Sequence, residues 1–111
     1  MQEINRGDIF WADLNPTIGA EINKLRPVVI ISNNTLNKIR KTVIIVLLST
    51  SAKEIKILNI GLQGGSIARC DQIRTIDKIR LKNKQGSLNS QDLNKISQAI
   101  KIILELVYKL W

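Results

Sequence analysis

The chain has 111 residues, with 17 Lys and Arg against 9 Asp and Glu, a formal charge of +8, no histidine and one cysteine, Cys70. That length suits one compact domain, 1–111, and leaves no room for a second. The charge favours a polyanionic partner, nucleic acid ahead of an anionic membrane surface; the missing histidine removes every Ser-His or Cys-His nucleophile pair, and a lone cysteine excludes an intrachain disulfide or a thiolate metal cluster.

Gly7 to Leu14 alternates, with Ile9, Trp11 and Asp13 on one side and Phe10, Ala12 and Leu14 on the other, which predicts a first strand. Asn15-Pro16-Thr17 breaks it. Polar residues from Thr17 to Leu25 predict an exposed loop. Pro27 heads a second strand, Val28 to Ile31, where proline is tolerated. Asn33 to Lys41 has no apolar period and reads as a loop. Thr42 to Leu48 is a β-branched run, buried on both faces if a strand. Glu54 to Leu58 predicts a strand with Ile55 and Ile57 inward. Gly64-Gly65 marks a turn, and Ser66 to Arg69 and Gln72 to Thr75 read as short strands either side of Cys70-Asp71.

The C-terminal segment changes period. Leu93, Ile96, Ile100, Ile103, Val107 and Leu110 recur at spacings of three and four, which predicts a helix of about five turns. Asn89 is its N-cap and Asp92 its N3 residue, with Gln85-Gly86-Ser87 as a preceding turn. The apolar runs are too short to cross a bilayer, and Met1-Gln2-Glu3 does not open a secretory signal, so a cytoplasmic location with no membrane partner is expected. Five or six short strands and one terminal helix give a mainly β (α+β) fold, a small barrel or sandwich with a C-terminal α-helix.

Four segments carry more. They are Arg6-Gly7-Asp8-Ile9-Phe10-Trp11-Ala12-Asp13-Leu14-Asn15-Pro16 with Gly19-Ala20-Glu21; Arg26-Pro27-Val28-Val29-Ile30-Ile31-Ser32-Asn33; Val46-Leu47-Leu48-Ser49-Thr50; and Arg69-Cys70-Asp71-Gln72-Ile73-Arg74-Thr75-Ile76-Asp77. In this order and spacing they resemble the MazF/PemK/Kid family of toxin endoribonucleases. The resemblance implies a small SH3-like β-barrel of the CcdB/MazF kind that forms a homodimer. It also implies sequence-specific cutting of single-stranded RNA, mRNA included, without metal or other cofactor, and neutralisation by a cognate antitoxin of a type II toxin–antitoxin system.

The route open without metal is attack by the RNA's own 2′-hydroxyl, leaving a 2′,3′-cyclic phosphate and a 5′-hydroxyl. The resemblance places the catalytic arginine at Arg26, whose guanidinium fork fits a phosphate. It places the catalytic threonine at Ser49, with Thr50 next; serine keeps the hydroxyl and loosens χ1. Arg69 and Asp71 match a further catalytic arginine and aspartate. The family's loop histidine is Ala20 here, which makes Glu21 a second candidate base. Gln72 resembles a base-reading amide, and Asn15, Arg74, Lys38 and Arg40 complete the expected RNA-binding set. Cys70, Phe10 and Trp11 read as packing residues. Two other readings share the barrel: a non-enzymatic CcdB-like gyrase poison, against which stand the Arg26 and Ser49/Thr50 pair and the absence of a Trp-Gly-Ile tail, and a catalytically weakened RNA-binding barrel.

Overall fold

The computed structural model describes residues 2–14 and 25–107. Within them the strands are β1 (Asp8–Asp13), β2 (Leu25–Ile30), β3 (Thr42–Ser49), β4 (Asn59–Gly61), β5 (Ile67–Asp77) and β6 (Leu81–Ser87), and the helices are α1 (Asn34–Ile39) and α2 (Ser90–Ile103), with a 3₁₀ turn at Lys78–Arg80. The strands form one antiparallel sheet in the order β4-β5-β3-β2-β1-β6. The sheet is not closed by hydrogen bonds between its edges, β4 and β6, among the described residues.

Two irregular registers bend it. Between β3 and β5, Leu47 pairs with Arg69 while the adjacent Val46 pairs with Ile73, so Cys70, Asp71 and Gln72 stand off the ladder. Between β1 and β6 the register shifts on either side of Phe10. Bulges of this kind increase local twist and turn a flat sheet into a barrel-like one.

The strand alternation sorts the core into two layers. Phe10, Ala12, Val28, Ile30, Val43 and Ile45 meet on one face with Ile4, Ile76 and Leu81. Val29, Val46, Leu48, Ala68 and Cys70 lie on the other, beneath Ile96 and Ala99 of α2. Strand β3 contributes to both layers, so it is covered on both faces, as its unbroken β-branched run predicts. Asn89 caps α2 as expected, its Oδ1 accepting the Asp92 N–H at 2.7 Å. Asp92 is itself buried and accepts the Gln63 N–H at 2.9 Å.

The motif Arg6-Gly7-Asp8 is a fastening. Arg6 donates through Nη2 to Ser97 Oγ at 2.7 Å and through Nε to the Ile31 carbonyl at 3.2 Å, tying the N-terminal segment to α2 and to the residue that follows β2. Gly7 sits at φ +94°, and a Cβ there would lie 3.3 Å from Leu93 Cδ2, so a side chain meets both backbone strain and the helix. Buried Asp8 accepts the Asn5 N–H at 2.9 Å and the Ser87 hydroxyl at 2.7 Å, and Lys84 approaches it at 3.3 Å.

Five sequence expectations need correction. Asn33 to Lys41 holds α1, not a loop. Its apolar period is missing because the buried residue is Asn37, whose amide bonds the Ser32 carbonyl, and Asn33 caps the N-terminus. Glu54 to Leu58 is no strand: one isolated bridge joins Ile55 to Asn59, Ile57 takes φ 72°, and Ile55 is exposed. Pairing begins at Asn59 instead. The two short strands around Cys70-Asp71 are one strand, β5. Gln85 to Ser87 belongs to β6, an edge strand that exposes most of its polar residues and so shows no apolar alternation. Helix α2 stops at Ile103, short of five turns; Val107 is outside it and exposed, and Leu110 lies outside the described residues.

Candidate active site

The end of β3 and the start of β2 lie side by side, because Val28 pairs with Leu47 and the strands run antiparallel. On the far side of β2, Ala12 of β1 pairs with Arg26 and Trp11 with Pro27. On the far side of β3, Leu47 pairs with Arg69 just before the bulge. Side chains from four strands therefore converge on one groove of about 460 Å³. Its polar lining includes Arg26, Ser49, Thr50 and Arg69, and its apolar lining includes Trp11, Leu25, Pro27 and Leu47.

Ser49 is held in a fixed orientation. Its Oγ accepts the backbone N–H of Ser51 at 3.1 Å and of Ala52 at 3.0 Å, a local serine turn that ends β3. Ser51 Oγ also lies 3.5 Å from it, and either hydroxyl can donate across that long contact, which a phosphate oxygen in the groove would compete with as acceptor. Thr50 is exposed and its hydroxyl has no hydrogen-bond partner among the described residues. Arg26 and Arg69 are exposed and neither makes an ion pair or side-chain hydrogen bond among the described residues. Two guanidinium groups with no carboxylate partner among the described residues, beside a held hydroxyl, give a groove suited to an anion with several oxygen acceptors.

The other expected site residues fall elsewhere. Asp71 is exposed on the bulged stretch and does not line the groove, nor do half-buried Gln72 and exposed Arg74. Lys38 and Arg40 line a second groove of about 530 Å³ with Ile39, Lys41, Lys78 and Ile79, which shares no lining residue with the first. Lys41 of the second groove directly precedes β3, and the first groove reaches β3 at Leu47, six residues further on, roughly 20 Å at about 3.3 Å per residue. Asn15 and Glu21 lie outside the described residues.

Cys70 is fully buried, and burial, with the charge of Asp71 adding to it, pushes its thiol up to about 12. It stays protonated and packs against α2, consistent with a packing role. Among the described residues no group of three or more His, Cys, Asp and Glu side chains is placed to hold a metal ion, and no helix is long and apolar enough to cross a membrane.

Phe10 is a core residue as expected, fully buried, but Trp11 is only half-buried and faces the groove. The sequence carried a sign of this. Trp11 alternates with Phe10 and Ala12, so burial of those two turns it to the opposite face, where antiparallel pairing sets it across from Pro27 of β2.

Residues 5–104 match the family described as PemK-like, MazF-like toxin of type II toxin-antitoxin system. The chain belongs to this family. It is 38% identical over 111 residues to Endoribonuclease MazF of Staphylococcus saprophyticus, covering 93% of this chain and 92% of that one. It is 32% identical over 112 residues to Endoribonuclease EndoA of Bacillus subtilis, covering 94% and 97%. Among solved structures, an endoribonuclease from Mycobacterial species in complex with its cognate antitoxin superposes with a TM-score of 0.82 at 25% identity, covering 95% of this chain and 98% of that one. A MazE-MazF structure from Deinococcus radiodurans gives 0.85 at 16% identity, covering 96% and 100%, and shows the same fold. The mainly β architecture with its C-terminal helix is thus the family's own.

Proposed function

We propose that this chain is the toxin of a type II toxin–antitoxin system and an endoribonuclease that cuts single-stranded RNA, mRNA included, at short sequence motifs without metal. One observation carries the reading: two arginines with no carboxylate partner among the described residues share a groove with a serine hydroxyl held by its own turn. The relatives named as endoribonucleases support it, and nothing in the groove favours a gyrase poison instead.

The scissile phosphate lies between Arg26 and Arg69, which stabilise the charge that builds on its oxygens in the phosphorane. The Ser49 hydroxyl, or Thr50 beside it, donates to a phosphate oxygen. The 2′-oxygen bonds to phosphorus as its proton passes to a carboxylate, the bond to the 5′-oxygen breaks, and that oxygen takes a proton. The products are a 2′,3′-cyclic phosphate and a 5′-hydroxyl. Asp71 and Glu21 are the carboxylates considered for the first proton, and the pH–rate profiles of Asp71→Asn and Glu21→Gln separate them. Gln72 in the bulge, Arg74 just beyond it, and Lys38 and Arg40 extend the RNA path away from the cut, with Asn15 as a further RNA-binding residue.

The chain acts as a single domain in the cytoplasm, as a homodimer restrained by a cognate antitoxin. The exposed Leu104, Leu106 and Val107 beyond α2 supply an apolar strip for the contact between copies. The deciding experiment incubates the protein with a long RNA in EDTA, with Arg26→Ala alongside. Fragments ending in cyclic phosphate from the first sample and intact RNA from the second are expected. Equal cutting of an RNA with 2′-deoxy riboses would refute the 2′-hydroxyl route, and intact RNA that is still retarded on a gel would mark a binding protein.

A further inference from the structure

We propose that Trp11 is a base platform: its indole stacks on the nucleobase next to the phosphate gripped by Arg26 and Arg69. The proposal rests on the RNA-cutting reading and adds a residue that the reading does not use.

The groove has two kinds of wall. One is cationic and hydroxylated, with Arg26, Arg69, Ser49 and Thr50; the other is apolar, with Trp11, Leu25, Pro27 and Leu47. A site for phosphate alone has no use for the second. A nucleotide has both an anionic part and a flat part poorly solvated by water, and single-stranded RNA is held elsewhere by such a pairing of basic side chains and aromatic rings. Trp11 is the aromatic residue in this lining.

Its surroundings leave the ring available. Phe10 and Ala12, its chain neighbours, are fully buried in the opposite layer of the core. Trp11 is half-buried, and makes no hydrogen bond and no ring contact among the described residues. A tryptophan placed only for packing ordinarily hides its ring and finds a partner for its N–H; here neither has a partner among the described residues, and the side chain lines the groove. Register sets the position. Trp11 pairs with Pro27 across the β1–β2 ladder, one residue from Arg26, and directly opposed side chains in such a ladder lie about 5 Å apart. Pro27 gives the platform a rigid edge. A base on the indole then brings its own phosphate to the neighbouring guanidinium, which fixes where along the RNA the cut falls.

The test uses the Trp111→Phe protein, in which Trp11 is the remaining tryptophan, and a mixed-sequence pool of 2′-fluoro oligoribonucleotides, which keep the ribose pucker and lack the attacking hydroxyl. The expected result is quenching of tryptophan emission that saturates in step with filter retention of the oligonucleotide. In binding assays, Trp11→Leu weakens retention about tenfold to a hundredfold and Trp11→Phe recovers most of it, because leucine keeps apolar bulk and phenylalanine keeps a π face. Retention without quenching, or equal binding by the leucine and phenylalanine variants, overturns the stacking role and leaves the nuclease reading standing. No retention by the Trp111→Phe protein overturns both.

Discussion

The Ala52 backbone N–H donates to Ser49 Oγ at 3.0 Å, so the turn that ends β3 is closed by the same side chain that faces the groove. One atom therefore has two duties, and substitutions separate them. Ser49→Ala removes the acceptor for two N–H groups and costs about 1 kcal/mol in stability, while cleavage falls tenfold or more. Ser49→Thr keeps both, since its Oγ1 accepts the same bonds with a stiffer χ1. Thr50→Ala has the smaller effect on rate. Single-turnover cleavage and urea denaturation of the three variants read this; a dead Thr50→Ala beside an active Ser49→Ala would hand the chemical role to Thr50.

Arg26→Ala is expected to slow cleavage about a hundredfold or more and to change the unfolding free energy by less than about 0.5 kcal/mol, because the residue is exposed. Arg26→Lys restores little, since an ammonium is a point charge without the planar fork. The rate on a defined RNA and the melting temperature, measured on one preparation, check both halves. A large fall in melting temperature would recast Arg26 as a structural residue.

Cys70 predicts a pH dependence. Its thiol ionises near 9.0 when exposed and near 12 in the fold, chiefly because it is buried. The folded form thus holds the proton after the unfolded form has lost it. The associated stability is complete below about pH 9 and drains away as pH climbs toward 12. Urea midpoints of the wild-type protein should fall over that window by more than those of Cys70→Ala. Parallel curves would mean that the thiol is not sheltered. Native protein at pH 8 should also resist iodoacetamide until urea is added.

The start of α2 offers a stability test away from the groove. Asn89→Ala removes the cap and costs about 1 kcal/mol. Asp92→Ala leaves the Gln63 N–H without its acceptor and costs about 1–3 kcal/mol. Because Asn89 bonds the Asp92 N–H directly, the double variant should lose less than the sum. Denaturant titration of the three proteins gives the coupling, and strict additivity would argue against a joined network.

The sequence showed what one layer of burial writes into it. Strands β1, β2 and β3 were legible because their apolar alternation, or its absence in β3, follows from facing one layer or two. The helix start was legible through Asn89. What stayed hidden depends on contacts made from far along the chain. Helix α1 buries an asparagine, so its period carries no apolar mark. Strand β6 is polar because it is an edge. The bulge at Cys70 to Gln72 is a matter of register between β3 and β5, which no local pattern encodes. At the groove, Arg26, Ser49, Thr50 and Arg69 could be named together only through the family motifs. Trp11 was misread because an aromatic residue inside a strand ordinarily means core. Charge alone suggested Lys38 and Arg40, and charge does not say that they line a groove separate from the one that holds Arg26.

The excursion of Cys70, Asp71 and Gln72 also divides β5 into two blocks, Ile67 to Arg69 and Ile73 to Asp77, each with its own pairing to β3. Such a division decouples curvature from contact. Shortening the excursion would straighten the strand and splay the cleft while leaving every paired residue with its present neighbour. In a relative with a different number of residues at this point, the width of the cleft, and so the size of the molecule it admits, would differ even if every side chain in its walls were the same.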